Sequence, residues 1–270
     1  MPSRFIHVFS LALIAALMIS GCKSASTDSN NNNNSKPVNI GDTVPAKGSG
    51  YKYSKSQLDV SGNIIPTTTN PNISASINNT GQSILGKNNV YTVNDDLDSA
   101  YYSYESNSDV SMYLVNPGYY LINNPPPGVN PIDETLQAIE NAVFHNWITL
   151  PIASKSTITP ADQTPSFTIN GQQVLSNIHT VIEYIDSSGI FVKDSKDTLA
   201  ARHCRITITA QVAFANDHEV LTHTRNIWFA PKIGYIAQEI VRTDMPALPI
   251  YVVPRDTTAI LKVLTSYTFH

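Results

Sequence analysis

The sequence predicts an all-β protein, mainly antiparallel, with one short helix over about 131–144 and a disordered tether ahead of the folded part. Three observations carry this. Apolar side chains after residue 87 recur with a period of two, as in Cys204, Ile206, Ile208, Ala210 and Val212 against His203, Arg205, Thr207, Thr209 and Gln211. Successive strand side chains point to opposite sides, so this is a strand with one buried and one wet face. Turn chemistry separates closely spaced runs, and a period of 3.6 is almost absent. Parallel strands would need long crossovers, so short connections mean an antiparallel meander.

Taken in order, residues 1–21 read as a secretory signal. Arg4 supplies a positive start, and Phe5 to Ile19 is apolar apart from His7 and Ser10. As a helix that run is about 22 Å long, short of the roughly 30 Å hydrocarbon core, which favours a cleaved signal over a retained span. Ile19-Ser20-Gly21-Cys22 then matches the lipobox of bacterial lipoproteins: an aliphatic residue, two small ones and cysteine. The resemblance implies cleavage between Gly21 and Cys22 and a diacylglycerol thioether on the Cys22 thiol. Acyl chains contribute about 0.8 kcal/mol per buried CH₂, and more than one chain gives stable anchoring. Lys23 follows the cysteine, and the absence of Asp there favours the outer over the inner membrane of the bacterial envelope.

Residues 22–47 form the lipidated cysteine and its tether. Ser24 to Asn34, with an asparagine run at its end, holds no large apolar side chain and cannot offset the entropy of ordering. About 25 such residues span roughly 25–30 Å as a coil. The segment 48–86 is polar, contains Pro66 and Pro71, and reads as irregular. The domain proper is expected over 87–270. Its strands are Val90–Val93, Val110–Val115, Trp147–Pro151, Ser166–Ile169, Ile178–Ile185, Gly189–Val192, Arg202–Val212, Val220–Ala230, Tyr235–Arg242 and Ile260–Phe269, all rich in β-branched and aromatic residues. Asn170-Gly171, Ser188-Gly189 and Pro231 to Gly234 serve as turns. The helix follows Pro131, with Ile132, Leu136, Ile139 and Val143 at helical spacing.

Trp147 to Pro151, Asp197 to Ala201 and Trp228 to Tyr235 together resemble a broad group of β-rich bacterial envelope lipoproteins. The resemblance implies a strongly curved antiparallel sheet similar to the half-barrel of periplasmic lipoprotein carriers, with helical segments on its concave side. It also implies that Trp228 fills a core and that Gly234 takes the positive φ of a tight hairpin.

Composition narrows the function. The formal charge is −4, and loss of Arg4 with the signal makes it −5. Nucleic acid rewards clustered Lys and Arg, which are lacking here, so no nucleic-acid partner is expected. With Cys22 acylated, Cys204 has no intramolecular partner, and its place on an apolar strand face makes it structural. His218 to His223 resembles a zinc-protease motif with one residue too many, which puts the two histidines on different faces. No cofactor, metal site or catalytic residue is assigned. Asp95, Asp96 and Asp98 read as a solvated turn rather than a calcium loop. Tyr91, Tyr101, Tyr102, Tyr104, Tyr113, Tyr119 and Tyr120 either pack a curved sheet or offer amphipathic rings to a glycan or protein.

The leading reading is a membrane-anchored, non-enzymatic envelope lipoprotein whose β domain is structural or binds an apolar, glycan or protein ligand. The alternative is a hydrolase or glycan-acting enzyme with a site gathered from separate strands, from groups such as His179, Glu183, His223 and Glu239.

Overall fold

The computed structural model describes residues 44–95, 99–105, 108–114, 146–164, 166–169, 172–214, 217–245 and 256–270. All of them belong to one unit, Asn39–His270. Gly21, Cys22, most of the tether, Asp96, Asp98, Tyr119, Tyr120, Asn170-Gly171 and the expected helix over 131–144 lie outside the described residues.

The described residues form one antiparallel sheet. Its strands are β1 (Gly50–Gln57), β2 (Asn70–Ile84), β3 (Lys87–Asp95), β4 (Ser99–Tyr104), β5 (Val110–Leu114), β6 (Ile148–Leu150), β7 (Thr157–Ile158), β8 (Ser166–Ile169), β9 (Gln172–Val192), β10 (Asp197–Phe214), β11 (Asp217–Ala230), β12 (Tyr235–Met245) and β13 (Asp256–Thr268). The hydrogen-bonded order is β6-β5-β4-β3-β2-β1-β13-β12-β11-β10-β9-β7, with β8 pairing to β9 off that path. Strands consecutive in sequence pair with each other except β6 with β7 and β7 with β8; the pairings between non-consecutive strands are β1 with β13 and β7 with β9.

The sheet is strongly curved. Tyr104 on β4 makes an edge contact with Phe229 on β11, at 6.4 Å between ring centres, although five strands lie between them along the sheet. Only a sheet that curls back on itself brings such strands face to face. The concave face is the core: Ile73, Ala75 and Ile77 of β2, Cys204, Ile206, Ile208 and Ala210 of β10, and Ile227 and Phe229 of β11 are all buried. Fully burying such an aliphatic or aromatic side chain contributes about 1.5–3 kcal/mol.

The corner between β11 and β12 folds into this concavity. Pro231–Ile233 makes a single 3-10 turn, and Gly234 ends it in the left-handed region with φ 63°. Three buried tyrosines from the facing strands hold the corner. Tyr51 donates to the Ile233 carbonyl, Tyr91 to the Gly234 carbonyl and Tyr53 to the Ile236 carbonyl, each at 2.8 Å. A turn carries backbone carbonyls that no ladder satisfies, and burying one unpaired is costly, so the hydroxyls are what let this corner sit in the core.

Three sequence expectations need correction. The segment 48–86 is not irregular: it supplies β1, β2 and a 3-10 turn at Pro66–Thr68. Its polar residues occupy the outward face, with Asn72, Ser74 and Ser76 exposed while Ile73, Ala75 and Ile77 point in. Pro71 is tolerated because β3 pairs with β2 only from Ala75 onward, leaving one edge of the strand free at Pro71.

Ser188-Gly189 is not a turn either. Both residues lie inside β9, which runs unbroken to Val192. A Cβ on Gly189 would sit 2.9 Å from Thr198 Cγ2 across the ladder, so this glycine permits close strand approach rather than chain reversal. Trp228, finally, does not fill the core. A register shift at Trp228/Phe229 accompanies the turn into the corner; Ile227 and Phe229 point inward, and half-buried Trp228 stacks on His203 at 4.0 Å on the other face.

Candidate functional site

Period two decides where the four candidate acid–base groups go. His179 and Glu183 lie on the outward face of β9. His179 Nδ1 meets Asp162 Oδ1 at 2.7 Å, and Glu183 accepts from Arg205 Nη2 at 2.9 Å. His223 and Glu239 lie on the inward faces of β11 and β12, each 1% exposed. The sheet therefore separates the four into two pairs, and no cleft collects them.

Around the inward pair sits a cluster that the sequence reading left out. The Arg225 Nε donates to Glu239 Oε1, and Lys262 Nζ lies 3.4 Å from the other carboxylate oxygen. Lys262 also stands over the Tyr53 ring at 4.9 Å, and His223 Nδ1 pairs with Thr243 Oγ1 at 2.9 Å. Adjacent strands β11, β12 and β13 supply the three charges, all fully buried. Burial pushes the Glu239 carboxyl up, but Arg225 and Lys262 more than offset this and hold it below the usual carboxylate range. Burial, aided by the Arg225 charge, pushes His223 down to about 3. At neutral pH the carboxylate is ionised and the imidazole neutral, so neither group is poised to exchange a proton.

A readable signal for Arg225 and Lys262 did exist. Each is a charge in phase with an apolar strand face: Arg225 with Leu221, Ile227 and Phe229, Lys262 with Ile260 and Leu264. An inward charge at such a position needs a partner on a neighbouring strand, and Glu239 sits in the same phase between Ala237 and Val241.

Cys204 is fully buried, and its thiol is pushed up to about 12, chiefly by burial and then by the Asp109 charge. His218 and His223 lie on strand β11, not on a helix. Among the described residues, no group of three or more His, Cys, Asp or Glu side chains could hold a metal ion. The tyrosines divide by register: Tyr91 and Tyr102 are buried in the core and stacked at 5.4 Å, while Tyr101 and Tyr113 pair at 6.1 Å on the opposite face, with Trp147 against Tyr113.

Among the described residues, a polar cleft of about 960 Å³ opens at the end of the sheet near residue 44. Residues 44–46 form one side, the β2–β3 hairpin another, and Lys87, Asn88, Asn89 and Glu105 supply its polar groups. The hairpin is irregular. Its ladder shifts register three times, and Gly81, Leu85, Gly86 and Asn89 all have positive φ. Lys87 donates to Glu105, which also accepts from Ser111, and Ser111 in turn pairs with Thr149 at 2.9 Å. Partial burial pushes the Glu105 carboxyl up, but the bonds from Lys87 and Ser111 outweigh this and the net direction is down. The pair is electrically neutral, so the cleft suits a polar partner more than a small ion. Trp147 Nε1 donates to the Leu85 carbonyl at 3.1 Å, tying the hairpin tip to the residue before β6.

No family model matches the sequence. No curated protein matches it either. Solved structures with partial similarity include a candidate exported protein with a YmcC-like fold from Bacteroides fragilis, at 10% identity and TM-score 0.34, covering 84% of this chain and 98% of the other. A candidate lipoprotein from Parabacteroides distasonis aligns at 10% identity and TM-score 0.29 over 83% of this chain and 96% of its own. The hypothetical lipoprotein YmcC from Escherichia coli aligns at 10% identity and TM-score 0.30 over 86% of this chain and 90% of its own.

Proposed function

We propose that this chain is a bacterial envelope lipoprotein, cut before Cys22 and anchored by lipid on that cysteine, whose β unit has a non-enzymatic binding or structural role. The outer membrane is the destination that Lys23 favours. The observation that supports this reading best is the fate of the inner face. Its ionisable groups are engaged with one another, and the tyrosine-held corner occupies the concavity, so the inside of the sheet serves stability. An apolar ligand in that part of the concavity would have to displace the chain's own side chains. Among the described residues, the polar cleft beside residue 44 offers a place for a partner, at the end of the sheet where the chain enters it.

Metabolic labelling with a fatty acid in a bacterial host tests the anchor. The protein should take up label and migrate as a cleaved form, while Cys22→Ala should take up none and persist as the uncut precursor. Undiminished labelling of Cys22→Ala would refute the assignment.

A further inference from the structure

We infer that the end of the sheet bearing the β2–β3 hairpin tip rests against the lipid surface, so that the membrane is the partner of the cleft described above; this rests on the anchored reading. The first argument is where the chain leaves the sheet. Residues 44–46 line the same cleft as Gly86 and Lys87, and Ala46 N donates to the His270 carbonyl at 3.3 Å. The attachment point of the tether and the hairpin tip therefore share one end. A flexible tether from Cys22 to Val44, as the anchored reading has it, would span roughly 25 Å and keep this end within reach of the headgroups.

The second argument is Leu85. It occupies the first of two turn positions between Ile84 and Lys87, with φ 49° there and 79° at Gly86. Such a turn favours Asn-Gly, and leucine in the left-handed region is strained by its Cβ against the following carbonyl. Leu85 is also 57% exposed. The fold gains neither conformation nor burial from this side chain, whereas a bilayer boundary would bury it. Trp147, tied to its carbonyl, is a residue type that favours the interface between headgroups and acyl chains.

The third argument is local charge. The chain is acidic as a whole, but this end is not. The β9–β10 turn reaches it, with Asp194 N donating to the Thr265 carbonyl at 2.8 Å near the end of β13. The turn region brings exposed Phe191, Lys193, Asp194 and Lys196, two lysines against one carboxylate, and Lys47 lies beside the chain exit. Asp197 is matched by Lys232 at 2.7 Å, and Glu105 by Lys87. Each lysine near an anionic bilayer adds electrostatic attraction to the surface. The opposite end also exposes apolar Val60 and Ile64, but it lies about 45 Å away along the fifteen residues of β2.

The test uses full-length lipidated protein in phosphatidylethanolamine–phosphatidylglycerol vesicles, with an environment-sensitive fluorophore on Asn88→Cys at the tip end or Val60→Cys at the far end. Cys204 is buried and stays unlabelled. Emission at position 88 should rise at least twofold over that at position 60, and Leu85→Asn combined with Phe191→Thr should remove most of the rise. Equal emission at both ends, or a rise untouched by the double substitution, would overturn the inference. The mass of the amino-terminal peptide reads the anchor separately. Acylated protein that floats with vesicles while position 88 stays silent defeats the lipid contact alone; protein with no acyl group that fails to float defeats the anchored reading and the contact with it.

Discussion

The hydroxyl of Tyr91 donates to the carbonyl of Gly234 at 2.8 Å, joining β3 to the β11–β12 corner across 143 residues of sequence. Tyr51 and Tyr53 do the same from β1 for Ile233 and Ile236. These bonds span the concavity and bind the two walls of the curled sheet to one turn. Tyr91→Phe keeps the ring and removes only the donor, leaving a buried carbonyl unsatisfied. It should cost about 1–3 kcal/mol, read as a lower urea midpoint with unchanged slope. Tyr101→Phe, on the opposite face, should stay within about 0.5 kcal/mol of wild type.

Glu239 holds together two buried cations from neighbouring strands. Glu239→Gln leaves Arg225 and Lys262 without their shared carboxylate and should destabilise by about 3–5 kcal/mol. Replacing Arg225, Glu239 and Lys262 together with Met, Leu and Met should cost less than the single change, because no charge is then left buried without its counter-ion. Thermal melts of the two variants check the order; a triple variant weaker than Glu239→Gln would contradict it.

The same cluster sets an acid limit. His223 has its pKa lowered from an ordinary 6.5 to about 3, so below pH 6.5 the unfolded chain binds a proton that the native imidazole does not. Stability therefore falls with falling pH, by up to about 1.4 kcal/mol per pH unit between 6.5 and 3. Glu239 acts in the same sense at lower pH: its folded pKa is depressed, so the stability it contributes above the ordinary carboxylate range is lost as pH falls through its folded value. Denaturation midpoints measured from pH 7 to 4 should slope steeply in wild type and flatten in His223→Gln. An unchanged slope would mean that other groups carry the acid sensitivity.

Cys204, with its thiol at about 12 and no surface exposure, should resist alkylation in the native protein at pH 8 and react on unfolding in urea. Rapid native labelling of Cys204 would show that the inner face of β10 opens to solvent.

Leu85→Asn should raise stability by about 1 kcal/mol, since asparagine tolerates the left-handed conformation that leucine pays for, and the exposed side chain gives up little burial. A higher melting temperature in detergent-free buffer would establish that leucine at the tip is not there for folding.

Local information was enough for the all-β antiparallel class. Alternation in β10 and the turn chemistry of Pro231 to Gly234 are properties of consecutive residues, and strand geometry converts them directly into a face and a hairpin. The likeness of Ile19 to Cys22 to a lipobox is equally local, and so is the proposal of an anchor that rests on it. The polar segment 48–86 misled because its sparse apolar residues, such as Tyr51, Tyr53 and Ile73, gain their meaning only from the core they enter. Gly189 looked like a turn because its neighbour across the ladder, Thr198, is invisible in the sequence. The ion cluster of Arg225, Glu239 and Lys262, the tyrosines that satisfy the inward corner, and the shared end of residue 44 and Leu85 all depend on which strands adjoin and how far the sheet curls. Those are decided by long-range pairing and packing, because hydrogen bonds and ion pairs act through space and carry no trace of chain separation.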